Sequence, residues 1–227
     1  MPHSIFDIAG PIMVGPSSSH TAGACKIGQI ARALFRGSPT ETKFHLYGSF
    51  ATVYQGHATD KALLAGVMKF WTSDSNIKNS FEIADKKGIK YEFTPHKTST
   101  PEHHPNTVRI ILKNNKRRLS IVGSSIGGGK VKITQINNIP IDLEMIAGRY
   151  FSLLVGHANK QDILLPLYGK LIEWGYPIAG KQSFSLKTFS LTVLNLENFS
   201  LKLPQVLELE KLPGIQFVRA LTKLLKF

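Results

Sequence analysis

The sequence holds a single cysteine, Cys25, in 227 residues. One thiol excludes an intramolecular disulfide framework. It also excludes any iron-sulfur or cysteine-rich zinc centre built from this chain alone, because such centres need several thiolates. Long apolar runs are lacking as well. The longest, residues 62–68 and the Gly- and Pro-broken stretch 8–16, fall far short of the roughly 18 apolar residues that span a bilayer. Residues 1–13 lack a charged leader followed by an apolar stretch and a small-residue cleavage site, so the expectation is a cytoplasmic protein without membrane association. Acidic residues are scarce, 15 against 28 Lys and Arg, for a net charge of +13. That excess is spread along the chain. Its densest run, Lys113, Lys116, Arg117 and Arg118, lies between two β-type runs and has no interleaved aromatic, which reads as a solvated hairpin tip and not as a nucleic-acid surface. What is present, 42% hydrophobic and 19% charged residues, suits a packed globular chain of one large or two small domains.

The pattern along the chain divides near residues 142–149, giving expected domains at 1–145 and 150–227. In the first, a Pro-, Gly- and Ser-rich loop at 11–19 opens a helix in which Ala24, Ile27, Ala31, Leu34 and Phe35 form one apolar stripe. Residues 43–50 alternate as a strand, and 59–70 read as a helix with Thr59 as its N-cap. A short helix at 81–87 stops at Gly88, 91–93 begins an extended stretch, and 95–105 is polar and irregular. Three β-branched runs, 106–112, 119–122 and 131–136, predict a meander with a hairpin at Asn114-Asn115, and Gly127 to Gly129 join the last two. The fold class is therefore α+β. After residue 150 the expected order is strand 150–156, helix 162–174, strands 179–185 and 189–194, helix 204–212 and strand 215–221. This β-α-β-β-α-β order predicts a split βαβ unit, a four-stranded sheet with two helices on one face.

Four segments carry residue types suited to chemistry. Gly15-Pro-Ser-Ser-Ser-His-Thr21 sets hydroxyls and a histidine at the opening of a helix, where unpaired main-chain NH groups attract anions and a carboxylate would fit. Gly56-His-Ala-Thr-Asp60 places His57 just before a second helix. Its protonated form is disfavoured at the positive end of a helix dipole, which makes His57 the candidate general base. His103-His104-Pro-Asn-Thr107 and Ser124-Ser-Ile-Gly-Gly-Gly129 add polar groups and close-approach backbone at strand ends. The pair His103-His104 has no third ligand for a metal. Gly123 to Lys130 is not an ATP-binding loop, because Val131 stands where Ser or Thr is needed and a strand follows.

Together, Ser4-Ile-Phe-Asp7, Gly15-Pro-Ser-Ser-Ser-His-Thr-Ala-Gly23, Tyr47-Gly-Ser49, Gly56-His-Ala-Thr-Asp-Lys-Ala62, His104-Pro-Asn-Thr107 and Ser125-Ile-Gly-Gly-Gly129 resemble the beta subunit of the iron-sulfur-dependent bacterial L-serine dehydratases. The N-terminal region is also similar to the effector-binding domain of some phosphoglycerate dehydrogenases, and the C-terminal unit resembles an ACT domain of ferredoxin-like type. The resemblance implies a two-chain enzyme that converts L-serine to pyruvate and ammonia. It also implies a 4Fe-4S cluster held by cysteines of a separate alpha subunit and not by this chain, and no pyridoxal phosphate. In such an enzyme a base removes the α-proton while an iron acts as Lewis acid on the departing hydroxyl. By the same resemblance His57 matches the base, and Ser17, Ser18, Ser19, His20 and Thr21 match the loop facing the substrate carboxylate. Asn106 matches a further substrate-binding position. Asp60, Ser125, Gly127 and Gly128 match supporting ones, with Asp60 capping the helix or orienting His57.

The sequence departs from that family at Ala58, where Gly is frequent; the change is tolerable if the backbone angle there is ordinary. The loop Gly156-His-Ala-Asn-Lys-Gln-Asp162 lacks the second glycine with which ACT modules admit an amino acid, which points the C-terminal unit toward homodimerisation, with the N-terminal domain as the alternative dimer surface. A regulatory amino-acid sensor is the alternative reading of the whole chain, and the two separate at His57, which only the enzyme needs for turnover.

Overall fold

The computed structural model describes residues 13–97, 104–137, 139–145, 151–197 and 201–221, with side chains up to residue 142 in the third of these segments. The Ser4-to-Asp7 motif, His103 and residues 146–149 of the expected domain boundary lie outside them. The chain divides into two compact units, which meet in sequence at Ala147 and Gly148.

In the first unit, six strands form one sheet in the order β2-β1-β3-β4-β5-β6. They are β1 (Glu41–Gly48), β2 (Lys90–Pro95), β3 (Asn106–Asn114), β4 (Arg117–Gly127), β5 (Lys130–Ile136) and β6 (Ile139–Met145). β1 and β2 pair in parallel and the other neighbours antiparallel. The parallel pair needs a crossover, supplied by α2 (Ser49–Val53), α3 (Thr59–Val67), a 3₁₀ turn at Ser75–Asn79 and α4 (Ser80–Lys86). The basic run forms the β3–β4 turn, where the Asn114 carboxamide oxygen accepts from the Lys116 and Arg117 amides, both at 2.9 Å.

Alternation puts Phe44, Leu46, Val108, Ile110, Leu112, Ile121 and Ile133 into the core, all buried. Against them lies α1 (Ala24–Phe35), whose Ile27, Ile30, Ala31 and Leu34 supply the expected apolar stripe. α1 and α3 pack backbone to backbone. A Cβ on Gly66 would stand 2.1 Å from the Cys25 carbonyl oxygen, and one on Gly28 would stand 2.4 Å from that of Leu63. Only glycine permits this approach, and it brings the segments leading into the two helices together.

Several boundaries differ from expectation for local reasons. The helical run starts earlier, with a π-type turn at Ser18–Gly23. β1 stops at Gly48, whose positive φ of 57° turns the chain into α2. Thr59 is the first residue of α3 and not its cap. Ala58 holds that place in left-handed backbone, φ 53° and ψ 30°, so its angle is not the ordinary one. The meander has a fourth strand, β6. The 3₁₀ turn leads into α4 one residue before the expected start, and α3 ends at Val67.

The second unit has the order β7 (Phe151–Ala158), α5 (Leu165–Glu173), β8 (Ile178–Ser185), β9 (Phe189–Leu196), α6 (Leu203–Glu210) and β10 (Ile215–Leu221). Its antiparallel sheet runs β10-β7-β9-β8. Both helices cover one face: Leu167, Leu171, Val206 and Leu209 pack with Phe151, Leu153, Val155, Leu194, Leu196 and Val218 in a single core. α5 starts at Leu165, three residues later than expected, after the turn formed by residues 161–164. Among the described residues, no helix is long and apolar enough to cross a membrane.

Candidate functional site

The serine-rich segment is shaped by its own caps. The Ser17 hydroxyl accepts from the His20 amide at 3.1 Å, and the Ser17 carbonyl accepts from Thr21 at 2.9 Å and Ala22 at 3.4 Å. This widened turn leaves Ser18 and Ser19 half-buried at the start of the helical run, where main-chain NH groups lack helical partners. The Gly15 backbone, at φ 137°, lies so close to Thr21 that a Cβ there would stand 2.5 Å from the Thr21 methyl. The Thr21 hydroxyl in turn donates to the His57 carbonyl at 3.1 Å, tying the first loop to the second.

The two imidazoles stand face to tilted face. His20 and His57 have ring centroids 4.8 Å apart, and Phe50 meets His20 edge-on at 5.5 Å. His20 has both ring nitrogens engaged, Nδ1 with the Ser17 hydroxyl at 3.4 Å and Nε2 with the Ser49 hydroxyl at 2.9 Å. Burial holds the His20 pKa below its usual value, and the neighbouring His57 lowers it further. His57 Nδ1 is buried and has no hydrogen-bond partner.

A third wall comes from the strand ends. Gly48 pairs with Asn106 across β1 and β3, and a Cβ on Gly48 would stand 2.5 Å from the Pro105 carbonyl oxygen. The Asn106 amide donates to His104 Nδ1 at 3.2 Å, and Thr107 donates to the His104 carbonyl at 2.6 Å. Asn106 Nδ2 reaches the Ser125 carbonyl at 3.4 Å. Ser125 is fully buried, and a Cβ on Gly23 would stand 2.0 Å from its Oγ. The contacts run from Ser17 through His20 to Ser49 and from Asn106 through Ser125 to Gly23, with Gly48 pairing to Asn106 and His57 against His20.

His57 Nδ1, Asn106 Oδ1 and Ser125 Oγ are buried without a partner, as are five side-chain atoms elsewhere among the described residues. Each unmet polar atom costs about 1–3 kcal/mol in the free protein. Gly127 and Gly128, at φ 96° and 58°, carry the turn that follows Ser125. Asp60 acts locally: its Oδ1 accepts from the Lys61 amide at 2.7 Å, and burial raises its carboxyl pKa. It binds an amide in the first turn of α3, and no hydrogen bond joins it to His57 among the described residues.

Two residues of this neighbourhood are absent from the candidates of the sequence reading. Ser49, in the Tyr47-Gly-Ser49 motif, anchors His20. Lys26 is buried in α1 and donates to the Gly129 carbonyl at 2.7 Å; with Gln29 and Arg32 on the same helix, no sequence signal sets it apart. Cys25 is buried, its thiol is pushed up to about 12 by desolvation, and it lies 3.5 Å from the Phe70 carbonyl. A protonated, enclosed thiol does not suit an iron-sulfur ligand. Among the described residues, no group of three or more His, Cys, Asp or Glu side chains could hold a metal ion.

Comparison with known proteins places these motifs in context. Residues 4–135 match the family described as serine dehydratase beta chain. The chain is 38% identical over 213 residues to a probable L-serine dehydratase beta chain of Bacillus subtilis, covering 93% of this chain and 94% of that protein. It is 38% identical over 196 residues to the L-serine dehydratase beta chain of Peptoniphilus asaccharolyticus, covering 86% of each. It is also 32% identical over 148 residues to L-serine dehydratase TdcG of Escherichia coli, covering 56% of this chain and 32% of that protein.

Proposed function

Since the chain belongs to the serine dehydratase beta chain family, we propose that it works as the beta subunit of a cytoplasmic two-chain L-serine dehydratase, forming pyruvate and ammonia. The observation that carries this reading is the meeting of the two loops, with His57 packed on His20 at 4.8 Å and tied to Thr21, and with Asn106 held by Ser125. The relatives' designation as beta chains supports an alpha partner. So does the match to only 32% of the longer Escherichia coli protein.

In this reading the substrate carboxylate lies against the loop of Ser17, Ser18, Ser19, His20 and Thr21, where Ser18 and Ser19 open the helical run. Asn106 lies against the substrate, and Ser125, itself fully buried, supports Asn106 through its carbonyl. His57 removes the α-proton, and Thr21 steadies it through its carbonyl. Loss of hydroxide from the β-carbon leaves an enamine, which tautomerises to an imine that water hydrolyses to pyruvate and ammonia. The 4Fe-4S cluster belongs to the alpha chain in this proposal. Cys25 does not fit it, so no step here runs through a metal on this chain.

The second unit has the element order of an ACT-like domain, with homodimerisation as its proposed role. A regulatory sensor is the second reading. It draws on a cavity of about 310 Å³ at the start of α5, lined by His157, Tyr168, Lys181, Ser183, Ser190 and Thr192. The test is to tag the chain, purify it anaerobically from its native cells and assay L-serine-dependent pyruvate with co-purifying iron. Pyruvate with a cysteine-rich partner is expected. Serine binding without partner or iron would overturn the enzyme reading in favour of the sensor.

A further inference from the structure

Lys26 stands one helical turn after Gly23, the residue that packs on Ser125, and is 1% exposed. Its ammonium has one hydrogen-bond acceptor, the Gly129 carbonyl at 2.7 Å, and no carboxylate partner among the described residues. Its neighbour Cys25 is a neutral thiol. Burying an ammonium with a single carbonyl partner is costlier than burying an apolar side chain of the same shape. Fold stability therefore does not explain a lysine at this position.

Gly129 ends a run of three residues with positive φ, 96°, 58° and 72° at Gly127, Gly128 and Gly129. The β4–β5 register also shifts between Ser125 and Gly127. Glycines in this region have wide conformational freedom, so the turn needs a fixed external contact to hold one geometry. The Lys26 ammonium is that contact. The turn leads directly from Ser125, whose carbonyl holds Asn106.

We propose that Lys26 is a positioning residue of the serine site, clamping the 127–129 turn so that Ser125 and Asn106 are seated, and giving the wall behind them an uncompensated positive charge that favours a carboxylate substrate. The proposal rests on the dehydratase reading. Being buried, Lys26 does not touch the substrate.

The experiment compares Lys26→Met and Lys26→Gln in the two-chain enzyme and in the full beta chain. Charge-assisted contacts set the expected size: Lys26→Met raises the KM for L-serine about tenfold with a smaller loss in kcat. In the full chain, Lys26→Met speeds amide hydrogen exchange at residues 125–130 by about tenfold, while Lys26→Gln, which keeps a donor without the charge, restores protection and leaves KM high. Unchanged exchange in Lys26→Met would overturn the clamp, and an unchanged KM would overturn the role of the charge. If the wild-type enzyme fails to turn over L-serine, the dehydratase reading fails, and the exchange result still decides the clamp.

Discussion

Ala58→Gly is expected to stabilise the first unit. Ala58 sits at φ 53° and ψ 30° immediately after His57 and before α3. Left-handed backbone costs an L-residue with a Cβ about 1–2 kcal/mol, which glycine avoids. Against that gain, glycine adds freedom to the unfolded chain, worth about 0.4–1 kcal/mol. The difference favours the variant by about 0.5–1 kcal/mol, or a rise of roughly 2–4 °C per kcal/mol in a chain of this size. The chain has two tryptophans, Trp71 in the first unit and Trp174 in the second, so urea unfolding in a Trp174→Phe background reports the first unit through Trp71. The midpoint should rise with the slope unchanged. Ala58→Val in the same assay should lose about 1–3 kcal/mol, because a β-branched side chain tolerates this region worse than alanine. A lower midpoint for Ala58→Gly, or a neutral Ala58→Val, would refute the argument that the approach to α3 is strained beside His57.

Other outcomes follow from packing and charge. Gly66→Ala sets a methyl 2.1 Å from the Cys25 carbonyl and should cost at least about 1–3 kcal/mol in urea unfolding. Gly169→Ala, on the exposed side of α5 with nothing within 4 Å, should gain about 0.5–1 kcal/mol. Burial, and then His57, lower the His20 pKa, so the unfolded chain takes up that proton more readily. Stability should fall as pH drops below about 6.5, the ordinary histidine value, and His57→Gln should lessen that fall, which unfolding midpoints from pH 7 to 5 would measure. Burial pushes Lys26 down to about 8 from 10.5. Its folded value lies below its unfolded one, so the cost of its charge is fully present below pH 8 and is relieved as pH rises toward 10.5. Unfolding midpoints should show a rising stability in that window, and Lys26→Met should flatten it.

Much of the fold is written in periodicity. The α1 stripe of Ile27, Ile30, Ala31 and Leu34 needs only a three- and four-residue spacing to be read, and the second unit follows from its alternating runs and from Gly175 and Gly214 at their ends. β6 is harder to see because Pro140 weakens the strand signal; the position is tolerated because β6 is the last strand of its sheet. The left-handed Ala58 is invisible to propensity, since nothing local asks for it. It is imposed by the turn 54–58 and by the closeness of α1 to α3. In the site, His57, Asn106 and the serine-rich segment are legible as chemistry-bearing types beside helix and strand ends. Their convergence depends on Gly23, Gly28, Gly48 and Gly66 allowing backbone approach between distant segments. Lys26 escapes a sequence reading because a lysine in a helix is ordinarily solvated, and only burial against Gly129 reveals its place.

The most direct test is L-serine turnover by the assembled two-chain enzyme carrying His57→Ala, with partner and iron content measured on the same preparation. Serine-dependent pyruvate should fall to background while the partner chain and its iron are retained. Turnover close to wild type would contradict the assignment of the base to this chain.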